Sequence, residues 1–191
     1  MNAVPLLSIT VFLPLLGAGL LLLIRPQSRR LVFAIGIATA ALTLLAAGLV
    51  WARGVPGGFA QLEEVPWIPA LGAAYRLGVD GVSLPLVLLT SVLFLASLIY
   101  AANTREQAGS FVALLLLLET ACLGAFLALD LLLFYVFFEV TLVGMYFIIA
   151  GWGHDDRKAA ALTFFIYTLV GSLFLLLALL ALYLGAAPHT F

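Results

Sequence analysis

From Phe111 to Trp152 the chain is almost wholly apolar, and its only charges there are Glu119, Asp130 and Glu139. No other feature constrains the fold as tightly. A single helix over ~42 residues would extend ~63 Å, about twice the ~30 Å hydrocarbon core of a bilayer. The stretch therefore predicts two membrane crossings with a tight turn near Asp130. A carboxylate at that point is suited to cap the exposed N–H groups that begin the second helix.

The rest of the chain agrees with a membrane setting. Of its 191 residues 65% are hydrophobic and 9% charged, with a mean hydropathy of +1.27. A soluble domain needs far more charge to cover its surface, so the composition is that of an integral membrane protein. The net charge is −1 and no basic run occurs, which gives no reason to expect nucleic acid as a partner. The one cysteine, Cys122, cannot form an intrachain disulfide and reads as a small core residue. No Cys/His cluster, CxxC pair or glycine-rich nucleotide loop is present. The expectation is a chain with no metal, no cofactor and no directly bound soluble substrate, any redox chemistry falling to another chain.

Apolar runs predict six spans, at about 5–24, 31–51, 82–102, 110–129, 131–152 and 159–184. No positive charge precedes the first run, and Arg25 follows it, an order that argues for a first transmembrane helix and against a cleaved signal peptide. The cations set the orientation. With the N-terminus outside, Arg25, Arg29, Arg30, Arg105, Arg157 and Lys158 fall in inner loops and only Arg53 and Arg76 in outer ones. Both termini are then expected outside. Trp51 and Trp152 stand at span ends, where interfacial anchors belong. The single long loop, 52–81, holds GVPGG, EEVPWIP and LGAAYRLGVDG, whose short apolar pieces between glycines and prolines suit a small β-hairpin on the outer surface.

Two carboxylates fall inside predicted spans. Glu139 is close to the midplane of the fifth, where an ionised, unpaired carboxylate costs several kcal/mol or more. Three roles remain open: a protonated group hydrogen-bonded to a neighbouring helix, a fixed ion-pair partner, or a titratable relay on an ion pathway. Tyr135 at i−4 and Tyr146 at i+7 share its helical face. No predicted span contains a cation. Lys158 lies beyond Trp152, which is itself ~20 Å of helix from Glu139. A pairing cation must therefore come from outside these residues. Glu119, in the fourth span, is the second candidate, for a pathway or a packing role. His154 beside Asp155 and Asp156 reads as a solvated loop residue, and His189 as incidental. Gly171 and Ser172 suit close helix packing.

Three segments carry a family resemblance. LDLLLFYVFFEVTLVGMYFIIAGWG at 129–153 resembles the fifth-helix signature of the proton-translocating, antiporter-like subunits of respiratory complex I. TFFIYTLVGSLFLLLALLALY at 163–183 is similar to the helix that follows it, and YRLGVDGVSLPLVLLT at 75–90 to the loop leading into the third helix. The wording is that of the subunit M (subunit 4) family of NADH-quinone oxidoreductase, to which Mrp antiporter and membrane-bound hydrogenase subunits are related. The resemblance implies an all-α membrane protein, placed in the bacterial inner membrane before an organellar one, with other complex I membrane subunits and the bilayer as partners. It implies that Glu139 is the family's key membrane glutamate, paired with a lysine on a broken seventh helix. Glu119 stands where many members carry a fourth-helix glutamate, and the 52–81 loop where they have an outer hairpin joining neighbouring subunits. Family members have about fourteen helices with inverted repeats. This chain resembles only the N-terminal portion, as a fragment, a split gene product or a truncated paralogue would. The expected function is redox-coupled proton translocation; the alternatives are an Mrp-type cation/proton antiporter subunit and an assembly element with no ion pathway.

Overall fold

The long apolar stretch does break at Asp130. In the computed structural model, which describes residues 5–55, 58–104 and 109–185, α4 (Gly109–Leu127) and α5 (Leu131–Trp152) form an antiparallel pair joined by three residues. Asp130 is extended (φ −103°, ψ 131°), and its Oδ1 accepts from the backbone N–H groups of Leu132 (2.9 Å) and Leu133 (3.0 Å). Its Oδ2 accepts from Ala74 N at 2.8 Å, so the cap is also a tertiary tie. The fourth helix ends at Leu127, two residues before the predicted boundary, because Leu129 N donates to Arg76 O and leaves the helical pattern.

The other helices are α1 (Leu6–Ile24), α2 (Arg29–Arg53), α3 (Ser83–Thr104) and α6 (Arg157–Gly185). All six are long and apolar enough to cross a membrane. Two of them outrun the predicted spans into flanking cations: α2 takes in Arg29, Arg30 and Arg53, and α6 takes in Arg157 and Lys158. Hydropathy marks the hydrocarbon limit, but backbone hydrogen bonding continues into the polar boundary, where long cationic side chains reach water. Arg105 and His189 lie outside the described residues.

Residues 60–79 form the expected hairpin, with β1 (Ala60–Ile68) antiparallel to β2 (Ala73–Val79), closed by a 3₁₀ turn at Pro69–Leu71. It does not merely lie on a surface. Ala73, Ala74, Leu77 and Val79 of β2 are buried among the helix ends. Glu63 accepts from Leu7 N (2.7 Å) and Ser8 N (2.9 Å), capping α1 from a distant part of the chain. The Ser8 hydroxyl bonds both Glu63 and the Tyr75 hydroxyl. Gln61 Nε2 donates to Val50 O at 2.9 Å, at the closing end of α2. Asp80 accepts from Val82 N (3.0 Å) and Ser83 N (2.6 Å) to cap α3. One end of the bundle is thus held by carboxylates on the starts of α1, α3 and α5, each satisfying N–H groups that a helix start leaves unpaired.

Within the bundle α4 is central and packs on α1, α2, α3 and α5, whereas α6 packs mainly on α5. Gly124 and Gly144 set the α4/α5 register. A Cβ on Gly124 would fall 2.3 Å from Phe137, and one on Gly144 would fall 2.6 Å from Leu118. Since lipid tails are as apolar as leucine, such close van der Waals approach, and not water exclusion, holds membrane helices together. Gly171, expected at a close contact, is exposed with nothing near its Cβ position; its neighbour Ser172 is buried and donates to Leu169 O at 2.9 Å. The small pair is real, but α6 has a neighbour on one side only.

Candidate functional site

Glu119 lies in the third turn of α4, between two apolar clusters that share the helix. Val112 and Leu116 belong to the cluster towards its start, and Leu123 and Leu127 to the one beneath the hairpin. The side chain has no solvent exposure, and neither carboxylate oxygen has a hydrogen-bond partner. The buried Thr120 hydroxyl beside it is also unpaired. Cys122, one turn on, is only half-buried and free. An ionised Glu119 in this seam would be a buried charge with no counter-ion, which costs several kcal/mol.

Glu139 sits differently. It is half-buried near the middle of α5, and its Oε1 is buried without a partner. Tyr135, one turn earlier, interacts with both Glu139 and Ser172 of α6. Tyr146 packs edge-on against Phe165 of α6, with centroids 5.3 Å apart. The stripe of two phenols and a carboxylate, placed on one face by the helical spacing, borders α6. On its other flank the apolar stem of Glu139 borders a groove of about 300 Å³ lined by Tyr135, Val136, Glu139, Val140 and Val143, into which no oxygen is exposed. Every lining residue belongs to α5, so no neighbouring helix closes the groove.

The α4/α5 register relates the two carboxylates. With Gly124 against Phe137 and Leu118 against Gly144, they differ in height by about one helical turn, ~5–6 Å. The carboxylates thus lie within about one turn of each other in height but in different environments. No Lys or Arg of the described residues lies beside either one. The helical cations sit at the termini of α2 and α6, and Arg76 pairs with Glu64 on the exposed hairpin at 2.6 Å. No group of three or more His, Cys, Asp or Glu able to hold a metal exists among the described residues. His154 is exposed, its carbonyl accepting from Arg157 N.

Two participants escaped the sequence reading. Glu63 caps α1 from 55 positions away, and the only hint was that Pro5, before α1, offers no capping side chain. Thr120 carries an unpaired hydroxyl at the Glu119 seam; threonines in helices commonly bond their own backbone, so its type gave no signal. Outside the spans the ionisations are ordinary in cause. Donated backbone hydrogen bonds hold Asp80 below the usual carboxylate range. The Arg76 contact does the same for Glu64, and burial pushes the Tyr75 phenol up.

Six apolar helices, one hairpin plugging the bundle end and a mid-helix glutamate on an open face define a class. Residues 128–190 match the family described as NADH:quinone oxidoreductase/Mrp antiporter, TM. Over those residues the chain is similar to this family of antiporter-like membrane subunits. In particular, it is 37% identical over 222 aligned residues to NADH-quinone oxidoreductase subunit M of Mycobacterium tuberculosis, covering 99% of this chain and 40% of that protein. It superposes on a chain of respiratory complex I from Thermus thermophilus with a TM-score of 0.84 and 34% identity, over 97% of this chain and 37% of the other. A chain of the Mrp complex from Dietzia sp. DQ12-45-1b shares the fold (TM-score 0.77, 22% identity, 95% of this chain and 19% of that one). The chain spans about two-fifths of the length of the curated relatives it matches.

Proposed function

We propose that the chain is part of the membrane arm of a proton-translocating NADH:quinone oxidoreductase, and that it contributes Glu139 as a relay carboxylate. The observation that carries this reading is the setting of Glu139. A mid-span carboxylate oxygen without a partner, on a side chain whose apolar stem borders a groove lined by α5 alone, is a group that a cation from another segment reaches once the side chain rotates towards the groove. A carboxylate so placed takes up a proton when the cation withdraws and releases it when the cation approaches. Glu119 serves as a second, sealed proton-binding group one turn away. The cation distribution argues that the hairpin end faces outward and the Arg29, Arg157 and Lys158 end faces inward in a bacterial cell membrane. The partners are the other membrane subunits of the complex. No redox centre is expected in this chain.

The test is Glu139→Gln in the assembled complex, with protons moved per electron measured alongside quinone reduction. The expected outcome is a loss of proton translocation with the complex still assembled. An unchanged ratio would mean that Glu139 is only a packing residue. The Mrp reading has its own support in the shared fold; sodium/proton exchange by the assembled membrane protein, without NADH oxidation, would favour it.

A further inference from the structure

We propose that the groove between the start of α2 and the end of α3 is a binding site for one acidic phospholipid. The groove has a volume of about 450 Å³ and is lined by Arg29, Arg30, Phe33, Ala34, Ile37 and Ala102. It lies at the end of the bundle away from the hairpin. Its mouth is cationic and its wall apolar, and those two halves follow from position in the chain. Arg29 and Arg30 are the first residues of α2, at the polar boundary, while Phe33, Ala34 and Ile37 are one and two turns further into the span.

The arginines are held ready. Arg29 Nη2 donates to Ala102 O of α3 at 2.7 Å, and its Cζ stands 5.8 Å from the Phe33 ring centroid. That fixes the guanidinium across the two helices and leaves most of its five N–H donors free. Among the described residues neither arginine pairs with a carboxylate, and none lines the groove. Two adjacent guanidinium groups, uncompensated among the described residues, above a hydrocarbon-facing wall complement one ligand chemistry: an anionic phosphodiester joined to an acyl chain. A soluble phosphate would use the arginines and ignore the wall. A zwitterionic lipid would bring an ammonium against two positive charges. Basic pockets between transmembrane helices bind acidic headgroups for this reason.

The experiment is native mass spectrometry of the full chain ejected from micelles that contain equal amounts of phosphatidylglycerol and phosphatidylcholine, reading the first lipid bound. The wild type is expected to favour phosphatidylglycerol by on the order of 5- to 30-fold. R29Q/R30Q should bring the ratio close to one, and R29K/R30K should keep most of the preference. Ile37→Trp fills the wall but leaves both charges, and should also abolish the preference. Inorganic phosphate should not displace the lipid. The proposal is overturned if R29Q/R30Q, with unchanged helicity, retains the wild-type ratio. It is equally overturned if Ile37→Trp has no effect, or if inorganic phosphate displaces the lipid.

Discussion

The hairpin-capped block of α1 to α4 and the α5–α6 pair are built from the same apolar alphabet but packed very differently. The most apolar window of α4 is 61% buried within the chain, against 22% for α5 and 11% for α6. Each half holds one intramembrane glutamate. In the block, Glu119 is sealed between apolar clusters with no exposure. On the outlying pair, Glu139 is half-buried and borders an open groove. Full burial of the first and partial burial of the second do not follow from the glutamates themselves; they follow from how many helices surround each. A residue on α6 such as Phe174 can be 68% exposed without penalty, because lipid solvates it as well as a neighbouring helix would. What α5 leaves uncovered is therefore free to meet another helix, and what α4 covers is not.

The sharpest way to break this division is to cut the link between its halves. Asp130→Ala removes the cap of α5 and strands the Ala74 N–H in a position where Asp130 is 1% exposed. A lost cap costs about 1 kcal/mol, and an unsatisfied buried donor about 1–3 more. A destabilisation of roughly 2–4 kcal/mol is expected, measured as a fall in the midpoint of helix loss on titration with denaturing detergent. Asp130→Asn keeps acceptors for the cap and should lose less.

Next comes the α4/α5 seam. Gly124→Ala puts a methyl 2.3 Å from the Phe137 ring, so the ring or the helix must move. Overpacking of that kind costs about 1–3 kcal/mol. The same detergent titration should show it, and Gly171→Ala, on the open side of α6, should leave the midpoint unchanged.

The smallest effect is expected at the hairpin junction with α3. Asp80 is held below the ordinary carboxylate range by the N–H groups it caps. A group with a depressed folded value adds stability above its unfolded pKa and loses it as the pH falls through the folded one. Hydrogen-exchange protection at Val82 and Ser83, corrected for intrinsic rates, should therefore be constant at neutral pH and drop below about pH 4. Protection in the α4 interior should not change over that range.

Much of this architecture was legible before any coordinates. Length against bilayer thickness placed the break at Asp130, and glycine and proline marked the hairpin. The Tyr135, Glu139, Tyr146 stripe followed from helical spacing. What could not be read depends on contacts between distant segments. Glu63 reaches α1 through the hairpin's fold. The α4/α5 register rests on two glycine notches whose partners, Phe137 and Leu118, are unremarkable in the sequence. The contrast between Glu119 and Glu139 is of the same kind. Both are lone acids in apolar runs, and only the number of helices around each separates them. Gly171 shows the reverse case, a local packing signal on a face of α6 that no described residue approaches.

The open-versus-sealed distinction is tested most directly by labelling the chain in lipid with a hydrophobic carbodiimide, which reacts with membrane carboxyl groups it can reach. Modified sites are then located by mass spectrometry. The expected result is an adduct on Glu139, which borders the groove, and none on Glu119, which has no exposed surface. An adduct on Glu119 with Glu139 unmodified would contradict the account.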